Sequence, residues 1–371
     1  MKEQPNTASE NTRRQLGAIL SRLRARKALV VCGQTYHRSF VKPFLEGLPL
    51  HIVYFSEFTP NPAYEDILNG VRLLGRQGCD VILSVGGGSV IDVAKCINAF
   101  ANTNACIDAI PPVQKGPLLP HICLPTTAGS GSEATRFAVI YHRGEKRSVA
   151  DEALLPGYVI LEPAFLKTLP AYQRGSTLMD ALCQAIESYW SVRSTAESKR
   201  YAESAIRQIA RHYESYLRGN AQDVLPPVMQ ASHESGKAIH ITQTTAAHAM
   251  SYKLTTLYGI AHGHAVALCL PHIWRYMLNH LDACSDPRGK DYLARVFDEL
   301  AAAFGVQDRQ QAPLRFEAIL HCAQLQTPAL RCEHDLDVLS ASVDAQRLGN
   351  NPVPLDTQTL RMFYASIFQQ P

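Results

Sequence analysis

A glycine-rich segment near residue 85 constrains the fold of this chain more than any other stretch. Residues 81–85 form a short apolar run, which is typical of a parallel strand that is buried on both faces. Three glycines follow at positions 86–88, where the absence of a side chain lets the backbone approach a ligand closely. Ser89 with Asp92 three residues later predicts a helix N-cap at Ser89. A glycine turn that leads into a helix N-terminus suits a pyrophosphate, because unpaired N–H groups and the positive dipole end meet there.

The spacing of these glycines differs from the two familiar nucleotide-binding motifs. Ile91 stands where the third glycine of Gly-x-Gly-x-x-Gly would be, and no Gly-Lys-Ser/Thr follows as in a P-loop. On spacing alone, a glycine turn without a ligand in an α/β fold stays open as an alternative.

Strand and helix patterns alternate through the first half of the chain. An amphipathic helix is predicted around residues 16–23, and another helix near 63–78. Strands are predicted at 28–32, 51–55, 81–85 and 118–124, and the sequence pattern is again typical of strands between 139 and 161. This alternation predicts a parallel sheet with helices on both faces. Long helical patterns with few glycines follow, so we predict an α/β dinucleotide-binding domain at 1–168 and a helical metal- and substrate-binding domain at 169–371.

Composition excludes several classes of partner. The chain has 371 residues, of which 46% are hydrophobic and 19% charged, with a net charge of +3. No basic tract with interleaved aromatic residues occurs, which argues against nucleic acid, and no apolar run is long enough to suggest a membrane partner. The polar start without a signal-peptide core predicts a cytoplasmic protein. Ten cysteines lack Cys-x-x-Cys spacing, and several in apolar runs are predicted to be reduced, buried thiols: Cys32, Cys123, Cys183 and Cys269.

Two longer motifs carry a family resemblance. Gly-Gly-Gly-Ser-Val-Ile-Asp-Val-Ala-Lys at 86–95 resembles the cofactor loop of the iron-dependent (group III) alcohol dehydrogenases, and Pro-Thr-Thr-Ala-Gly-Ser-Gly-Ser at 125–132 is similar to their second cofactor loop. The resemblance implies a dehydroquinate synthase-like fold, with a Rossmann-like N-terminal sheet and an all-α C-terminal domain. It also implies an NAD(P)H cofactor and a homodimer. The cofactor-binding residues that it implies are Gly33, Gln34, Gly86, Gly87, Gly88, Ser89, Asp92, Thr126, Thr127 and Ser130.

The choice between NADH and NADPH depends on the end of the first strand. The family often carries there an Asp that binds the adenosine ribose and repels a 2′-phosphate. Gly33 holds the nearest matching position, and His37 and Arg38 follow it. A missing acid makes NADPH acceptable and a nearby cation favours it, although solvated charges after a strand-ending glycine are an equal alternative.

A polar stripe marks the helix predicted at 176–190. Asp180, Gln184 and Glu187 lie at i, i+4 and i+7, so they share one face. The family has Asp-Ala-Leu-x-His-Ala-Ile-Glu here, in which the Asp and the His bind a metal ion. Asp180 matches this motif, whereas Gln184 replaces the histidine.

Two histidines complete the predicted metal site. His248 and His262 are separated by 14 residues, as in the family, and His248 is predicted to lie inside a helix that begins near Val228. The resemblance therefore implies Asp180, His248 and His262 as ligands of Fe²⁺ or Zn²⁺, with Gln184 as a weaker fourth. A protein that binds metal poorly, or uses none, is the alternative.

Tyr252 stands where the family often has another histidine. We predict catalytic roles for Tyr252 and His262. The alternative for Tyr252 is a tyrosine that only packs against its neighbours.

A sharper resemblance concerns the substrate. Residues 248–268 resemble the phosphonate-metabolism branch, the phosphonoacetaldehyde reductases, which implies reduction of phosphonoacetaldehyde to 2-hydroxyethylphosphonate. Because a phosphonate is anionic and has three acceptor oxygens, cations are expected near the metal. The predicted phosphonate-binding residues, for which solvated surface cations are the alternative, are Arg136, Lys253, His264 and Arg193.

Three other functions stay open on the sequence. They are a cyclase that resembles dehydroquinate synthase, a non-catalytic binding protein of the same fold, and an ordinary aldehyde reductase that acts on uncharged substrates.

Overall fold

The structure, a computed structural model, describes residues 10–34, 41–103, 106–219 and 222–369, without the side chain of Gln346. Two compact units are found, one formed by residues 1–127 and 131–169 and the other by 128–130 and 170–371.

A parallel five-stranded sheet forms the centre of the first unit. Its strands are β1 (Lys27–Cys32), β2 (His51–Phe55), β3 (Val81–Gly86), β4 (His121–Pro125) and β7 (Tyr158–Val159). They are arranged in the order β2-β1-β3-β4-β7, and every pair is parallel. The predicted parallel sheet is therefore confirmed. The predicted strand at 118–124 begins later, at His121, and the region after residue 137 first forms an antiparallel hairpin of β5 (Phe137–His142) and β6 (Glu145–Ala150).

Successive residues of each strand face opposite sides of the sheet, and both sides are apolar. Leu29 and Ile82 belong to one buried cluster, whereas Val30 and Leu83 belong to a second. A sheet with apolar side chains on both faces has to be shielded from water on both faces, and helices on each side of the sheet do this. These helices are α1 (Glu10–Leu23), α2 (Lys42–Leu45), α3 (Tyr64–Gln77) and α4 (Gly88–Phe100).

The predicted N-cap at Ser89 is wrong. Helix α4 already begins at Gly88 with Gly87 as its N-cap, and the Ser89 hydroxyl donates instead to the carbonyl oxygen of Pro60. Asp92 accepts hydrogen bonds from Ser132 Oγ (2.6 Å) and from the backbone N–H of Val139 (2.9 Å). Both side chains therefore connect α4 to neighbouring segments, which a local motif does not reveal.

A buried lysine holds the segment that precedes β5. Lys95 is 1% exposed, and its Nζ donates to the carbonyl oxygens of Ser132, Thr135 and Phe137 at 2.7 Å each. Burial lowers the pKa of Lys95 and raises that of Asp92, because each charge is taken out of water. The carbonyl oxygens stabilise the buried ammonium group, and the ammonium group supplies the hydrogen bonds that these buried oxygens need.

The second unit is helical. Its helices are α5 (Ala171–Trp190), α6 (Ala196–Arg218), α7 (Leu225–Thr242), α8 (Ala246–Tyr258), α9 (His262–Asn279), α10 (Lys290–Ala303), α11 (Gln311–Cys322), α12 (His334–Ala341), α13 (Ala345–Leu348) and α14 (Thr357–Phe368). This confirms the predicted all-α region. The expected continuous helix from Val228 through His248 is wrong, because α7 ends at Thr242 and α8 starts at Ala246. Gln243 between them has a positive φ of 60°, which interrupts the helix.

Cysteine placement agrees with the sequence. All ten cysteines are free, and the four expected in apolar runs, Cys32, Cys123, Cys183 and Cys269, are buried. Among the described residues, none of the helices combines the length and apolarity that crossing a bilayer requires.

We predict that Lys95→Met destabilises the protein by about 3–5 kcal/mol, because three buried carbonyl oxygens and the Asp92 carboxylate lose their cation. Urea unfolding followed by circular dichroism measures this loss. Lys27→Met is the matched control, since its ammonium makes an exposed hydrogen bond to Gln77, and its effect should stay within about 1 kcal/mol. Equal effects of the two substitutions would contradict the role of Lys95.

Candidate active site

The carboxyl ends of three neighbouring strands form the candidate cofactor site of the first unit. In the sheet, β2 lies on one side of β1 and β3 lies on the other side. The direction in which successive strands are added therefore reverses between β1 and β3. Ligands of open parallel sheets bind at this kind of reversal, outside the carboxyl ends of the strands. Gly33 and Gln34 follow β1, and Gly86 ends β3. His37 and Arg38, which bear on the NADPH prediction, lie outside the described residues.

Two predicted cofactor loops lie against one another at this edge. The backbone N–H of Thr126 donates to the Gly86 carbonyl oxygen (3.0 Å), and a Cβ at Gly87 would come within 3.1 Å of the Thr127 side chain. Thr126 Oγ1 is buried without a hydrogen-bond partner. The first N–H groups of α4, at Gly88 and Ser89, lack partners within the helix. A half-buried glycine turn, a helix N-terminus and an unpaired hydroxyl fit the phosphates of a dinucleotide.

The predicted metal ligands converge in the second unit. Asp180 on α5, His248 on α8 and His262 at the start of α9 place one potential ligand atom each within 4.8 Å of one another. At metal–ligand distances of about 2.0–2.2 Å, two donors of a tetrahedral site lie about 3.3–3.6 Å apart, so an ion would draw the more distant of these atoms together by about an ångström. Nε2 of His248 is buried without a hydrogen-bond partner, and Asp180 Oδ1 is 3.5 Å from it. An unpaired imidazole nitrogen beside a carboxylate and a second imidazole fits Fe²⁺ or Zn²⁺.

Glu187 orients His248. Its carboxylate, on α5 and fully buried, binds Nδ1 of His248 through Oε2, which leaves Nε2 for the metal. Its other oxygen, Oε1, accepts from Thr245 Oγ1 (2.8 Å) and from the backbone N–H groups of Thr245, Ala247 and His248. One carboxylate therefore caps the N-terminus of α8 and fixes the orientation of a ligand on the same helix.

The charges around His248 favour a cation. Burial by itself lowers the pKa of this imidazole, but the carboxylates of Glu187 and Asp180 outweigh burial and raise the pKa to about 9. The pKa of Glu187 is lowered in spite of its burial, because His248 and the hydrogen bonds at Oε1 stabilise the carboxylate. A buried imidazole with one carboxylate at each ring nitrogen therefore favours a positive charge at this place.

Gln184 is hydrogen-bonded to Asp180 through its amide nitrogen, and its amide oxygen is bonded to Ser235. Its Nε2 donates to the Ser130 carbonyl oxygen (3.2 Å) and to Asp180 Oδ1 (3.4 Å), whereas its Oε1 accepts from Ser235 Oγ on α7 (3.1 Å). Two acceptors on one side and a hydroxyl donor on the other determine the orientation of the amide. The predicted cofactor residue Ser130 thus holds Gln184 through its carbonyl oxygen.

Gly263 allows the close approach of α9 to α5. A Cβ at this position would overlap the carbonyl oxygen of Ser176 and lie 2.6 Å from Asp180 Cβ. The neighbouring His262 is brought beside Asp180 as a result, and Ser251 Oγ lies 3.3 Å from its Nδ1. The Tyr252 ring stacks on the imidazole of His262 with a centroid separation of 5.7 Å and an interplanar angle of 17°. Both predicted catalytic side chains therefore adjoin the candidate metal site.

The four predicted phosphonate-binding residues lie in different surroundings. Arg136 belongs to the first unit, where it pairs with Glu152, and Lys253 is exposed on α8. Arg193 is exposed after the end of α5, donates to Gln243 Oε1, and precedes the capping box that Thr195 and Ser198 form at the start of α6. His264 is 3% exposed, binds Tyr172 through Nδ1 (3.1 Å), and has its pKa lowered to about 4 by burial. A neutral imidazole is a poor partner for an anion.

A second cluster of reactive residue types lies inside the sheet of the first unit. Ser84 Oγ is 2.8 Å from His121 Nε2 and 3.1 Å from Cys123 Sγ. Burial lowers the pKa of His121 to about 3 and raises that of Cys123 to about 12, so the imidazole stays neutral and the thiol stays protonated. With each residue at most 5% exposed, the cluster packs the sheet and does not react with substrates.

Sequence reasoning missed two residues of the site. Glu187 was visible as part of the polar stripe on α5, but its bonds to α8 cross 58 to 61 positions of the chain. Arg347 carries no local signal; its guanidinium lies over the Tyr252 ring, 5.0 Å from the centroid.

A parallel sheet with a dinucleotide-type edge, joined in one chain to a helical unit with carboxylate and imidazole donors, defines an NAD(P)-dependent oxidoreductase. The model of the iron-containing alcohol dehydrogenase family matches residues 7–163, and that of the C-terminal part of Fe-containing alcohol dehydrogenases matches 175–352. The chain belongs to the iron-containing alcohol dehydrogenase family, so the alternatives of a cyclase and of a non-catalytic protein are not supported.

Individual relatives agree with this assignment. Phosphonoacetaldehyde reductase of Streptomyces viridochromogenes is 36% identical over 314 residues, which cover 79% of this chain and 78% of the relative. NAD-dependent methanol dehydrogenase of Bacillus methanolicus is 29% identical over 276 residues, which cover 71% of this chain and 72% of that relative. The crystal structure of sulfoacetaldehyde reductase from Bifidobacterium kashiwanohense in complex with NAD⁺ has a TM-score of 0.88 at 23% identity, covering 99% of this chain and 98% of the other. The first relative confirms the resemblance to the phosphonate-metabolism branch, and the last confirms the fold.

We predict that Gln184→Met retains one metal ion per chain with an affinity about tenfold weaker, because Gln184 Nε2 donates to Asp180 and its Oε1 is bonded to Ser235. His248→Ala should remove both bound metal and turnover. Metal content by mass spectrometry and competition with a chromophoric chelator measure the two effects. Loss of stoichiometric metal from Gln184→Met would identify the glutamine as a ligand after all.

We predict that Glu187→Gln weakens metal binding by about 10- to 100-fold. An amide N–H facing Nδ1 would move the imidazole proton to Nε2, which then cannot bind a cation. The same chelator competition measures the change, and Glu214→Gln, at an exposed position of α6, is the control. Unaltered affinity in the Glu187 variant would show that the imidazole is oriented by other contacts.

Proposed function

We propose that the protein reduces phosphonoacetaldehyde to 2-hydroxyethylphosphonate with NAD(P)H. The observation that carries the proposal is the cluster of Asp180, His248 and His262, with an unpaired imidazole nitrogen, in a chain that is 36% identical to a phosphonoacetaldehyde reductase. The reduction transfers a hydride from the nicotinamide to the aldehyde carbon and a proton to the aldehyde oxygen.

A divalent cation, when bound, would polarise the aldehyde carbonyl and stabilise the negative charge that develops on its oxygen. Asp180, His248 and His262 would hold this cation. Glu187 keeps His248 in the tautomer that exposes Nε2, and Gln184 keeps a carboxylate oxygen of Asp180 oriented. The side chains that surround the ligands thus maintain the donor set before substrate arrives.

Tyr252 is the proposed hydrogen-bond donor to the aldehyde oxygen. Burial raises the pKa of its phenol to about 12, so the hydroxyl is protonated at neutral pH and donates a hydrogen bond. Its ring stacks on His262, which keeps the phenol next to the ligands. His262 is assigned to both the metal site and the positioning of this phenol.

The phosphates of the cofactor are assigned to the three loops at the carboxyl edge of the sheet in the first unit. The turn at Gly86, Gly87 and Gly88 supplies backbone N–H groups, and Thr126 supplies an unpaired hydroxyl. Gly33 in place of an acid at the end of β1 removes the charge that would repel a 2′-phosphate, which supports use of NADPH as well as NADH.

The testing experiment follows oxidation of NADH and of NADPH with phosphonoacetaldehyde and with propanal, before and after chelation and after re-addition of Fe²⁺ or Zn²⁺. We expect kcat/KM for phosphonoacetaldehyde to exceed that for propanal by about 100-fold, since charged hydrogen bonds contribute about 1.5–3 kcal/mol each. Chelation should abolish turnover, and one of the two ions should restore it.

Two results would contradict the proposal and support another function. Equal or better turnover of propanal would identify a general alcohol dehydrogenase or aldehyde reductase for uncharged substrates. Undiminished turnover in metal-free protein would identify a reductase of this fold that stabilises the oxygen by hydrogen bonds alone.

A further inference from the structure

The proposed substrate imposes a requirement on the second unit. Phosphonoacetaldehyde carries its anionic group one methylene away from the carbonyl carbon. If the carbonyl oxygen faces Asp180, His248 and His262, the phosphonate must contact side chains that directly adjoin these ligands. An anion there needs a cation with free donors, because burying it without one is unfavourable.

Arg347 adjoins the ligands through one aromatic ring. Its guanidinium lies over Tyr252 at 5.0 Å from the centroid, and the same ring stacks on His262 at 5.7 Å. One nitrogen of the guanidinium also lies 3.5 Å from Thr244 Oγ1. Within the part of the chain that the structure describes, no ion pair to a carboxylate involves Arg347, although the residue is half-buried. Most of its donors are therefore available to an anion.

The segment that carries Arg347 is anchored. The carbonyl oxygen of Arg347 accepts from the backbone N–H of Asn350 (3.2 Å), and Asn350 Nδ2 donates to the carbonyl oxygens of Thr242 (2.8 Å) and Thr244 (3.0 Å). Ser191 Oγ also donates to Asn350 Oδ1 (2.8 Å). A cation whose backbone is linked through Asn350 to the junction between α7 and α8 is preorganised next to the helix that carries His248 and Tyr252.

We propose that Arg347, with the hydroxyl of Thr244 beside it, binds the phosphonate group of the substrate and gives the enzyme its preference for anionic aldehydes. This inference rests on the proposed function. Two donors of the guanidinium fork pair with two phosphonate oxygens, and Thr244 donates to the third or to one of the same two. Tyr252 contacts both Arg347 and His262, so the proposed anion-binding group and this metal ligand share one aromatic neighbour.

Arg347 fits this role better than the cations chosen from the sequence. Arg136 already pairs with Glu152, Arg193 is exposed and bonded to Gln243, and Lys253 points into solvent beside Tyr252. His264 is buried, and its Nδ1 is already bonded to the hydroxyl of Tyr172.

The test compares steady-state kinetics of wild type and Arg347→Met with phosphonoacetaldehyde and propanal, and inhibition of propanal reduction by methylphosphonate. We expect Arg347→Met to raise the KM for phosphonoacetaldehyde, and the inhibition constant of methylphosphonate, by roughly 10- to 100-fold more than the KM for propanal. Arg347→Lys should recover part of the loss, since it restores charge without the planar fork. Arg347→Gln, which keeps a donor near Thr244, replaces the methionine variant if that variant does not fold.

A matched control exists elsewhere in the same unit. Arg331 lies over the Tyr258 ring at the same 5.0 Å, so Arg331→Met removes an equivalent cation–π contact away from the ligands. It should change the ratio of the two KM values by less than about twofold. Metal content and melting temperature, measured on every variant, separate loss of the anion contact from loss of structure.

The outcomes distinguish this inference from the function on which it rests. A wild-type enzyme that does not prefer phosphonoacetaldehyde over propanal refutes the proposed function. A wild-type preference that survives in Arg347→Met, or that is lost in Lys253→Met instead, refutes the assignment of Arg347 and leaves the function intact.

Discussion

The buried carboxylate of Glu187 is the contact on which the candidate metal site depends. It accepts from a ligand imidazole through one oxygen and from three backbone N–H groups and a hydroxyl through the other. A buried carboxylate is unfavourable unless every lone pair has a partner, and here the N-terminus of α8 supplies the partners. The position of α8 and the tautomer of His248 are therefore determined by the same side chain.

This arrangement explains why one chain segment forms two helices. The interruption between α7 and α8 exposes a new helix N-terminus to Glu187, and the positive φ of Gln243 permits the turn. Asn350 donates to the carbonyl oxygens at Thr242 and Thr244, which would otherwise be left without partners. A continuous helix would have satisfied its own backbone but would have given Glu187 no N–H groups to accept.

The sequence predicted the parts of the fold that depend on local patterns. Apolar runs identified the parallel strands, the glycines at 86–88 identified the turn, and the family motifs led to Asp180, His248 and His262. The failures share a physical cause: Ser89 bonds to Pro60, Asp92 to Val139, and the α7–α8 interruption depends on Asn350, all through contacts distant in sequence. Lys95 likewise looks like an ordinary surface residue of a helix until three carbonyl oxygens from a later segment surround it.

The replacement of a histidine ligand by Gln184 has a consistent physical interpretation. Catalytic metal sites commonly use three protein ligands and leave positions for water or substrate. With its amide nitrogen toward Asp180 and its amide oxygen bonded to Ser235, Gln184 stabilises the carboxylate by a hydrogen bond, and we propose that it adds no fourth donor. An ion held by Asp180, His248 and His262 would then have more open positions than one held by four protein side chains. The roles proposed for Tyr252 and Arg347 agree with this interpretation, because the two side chains are in contact and the aldehyde carbon and the anionic group of the substrate are one methylene apart.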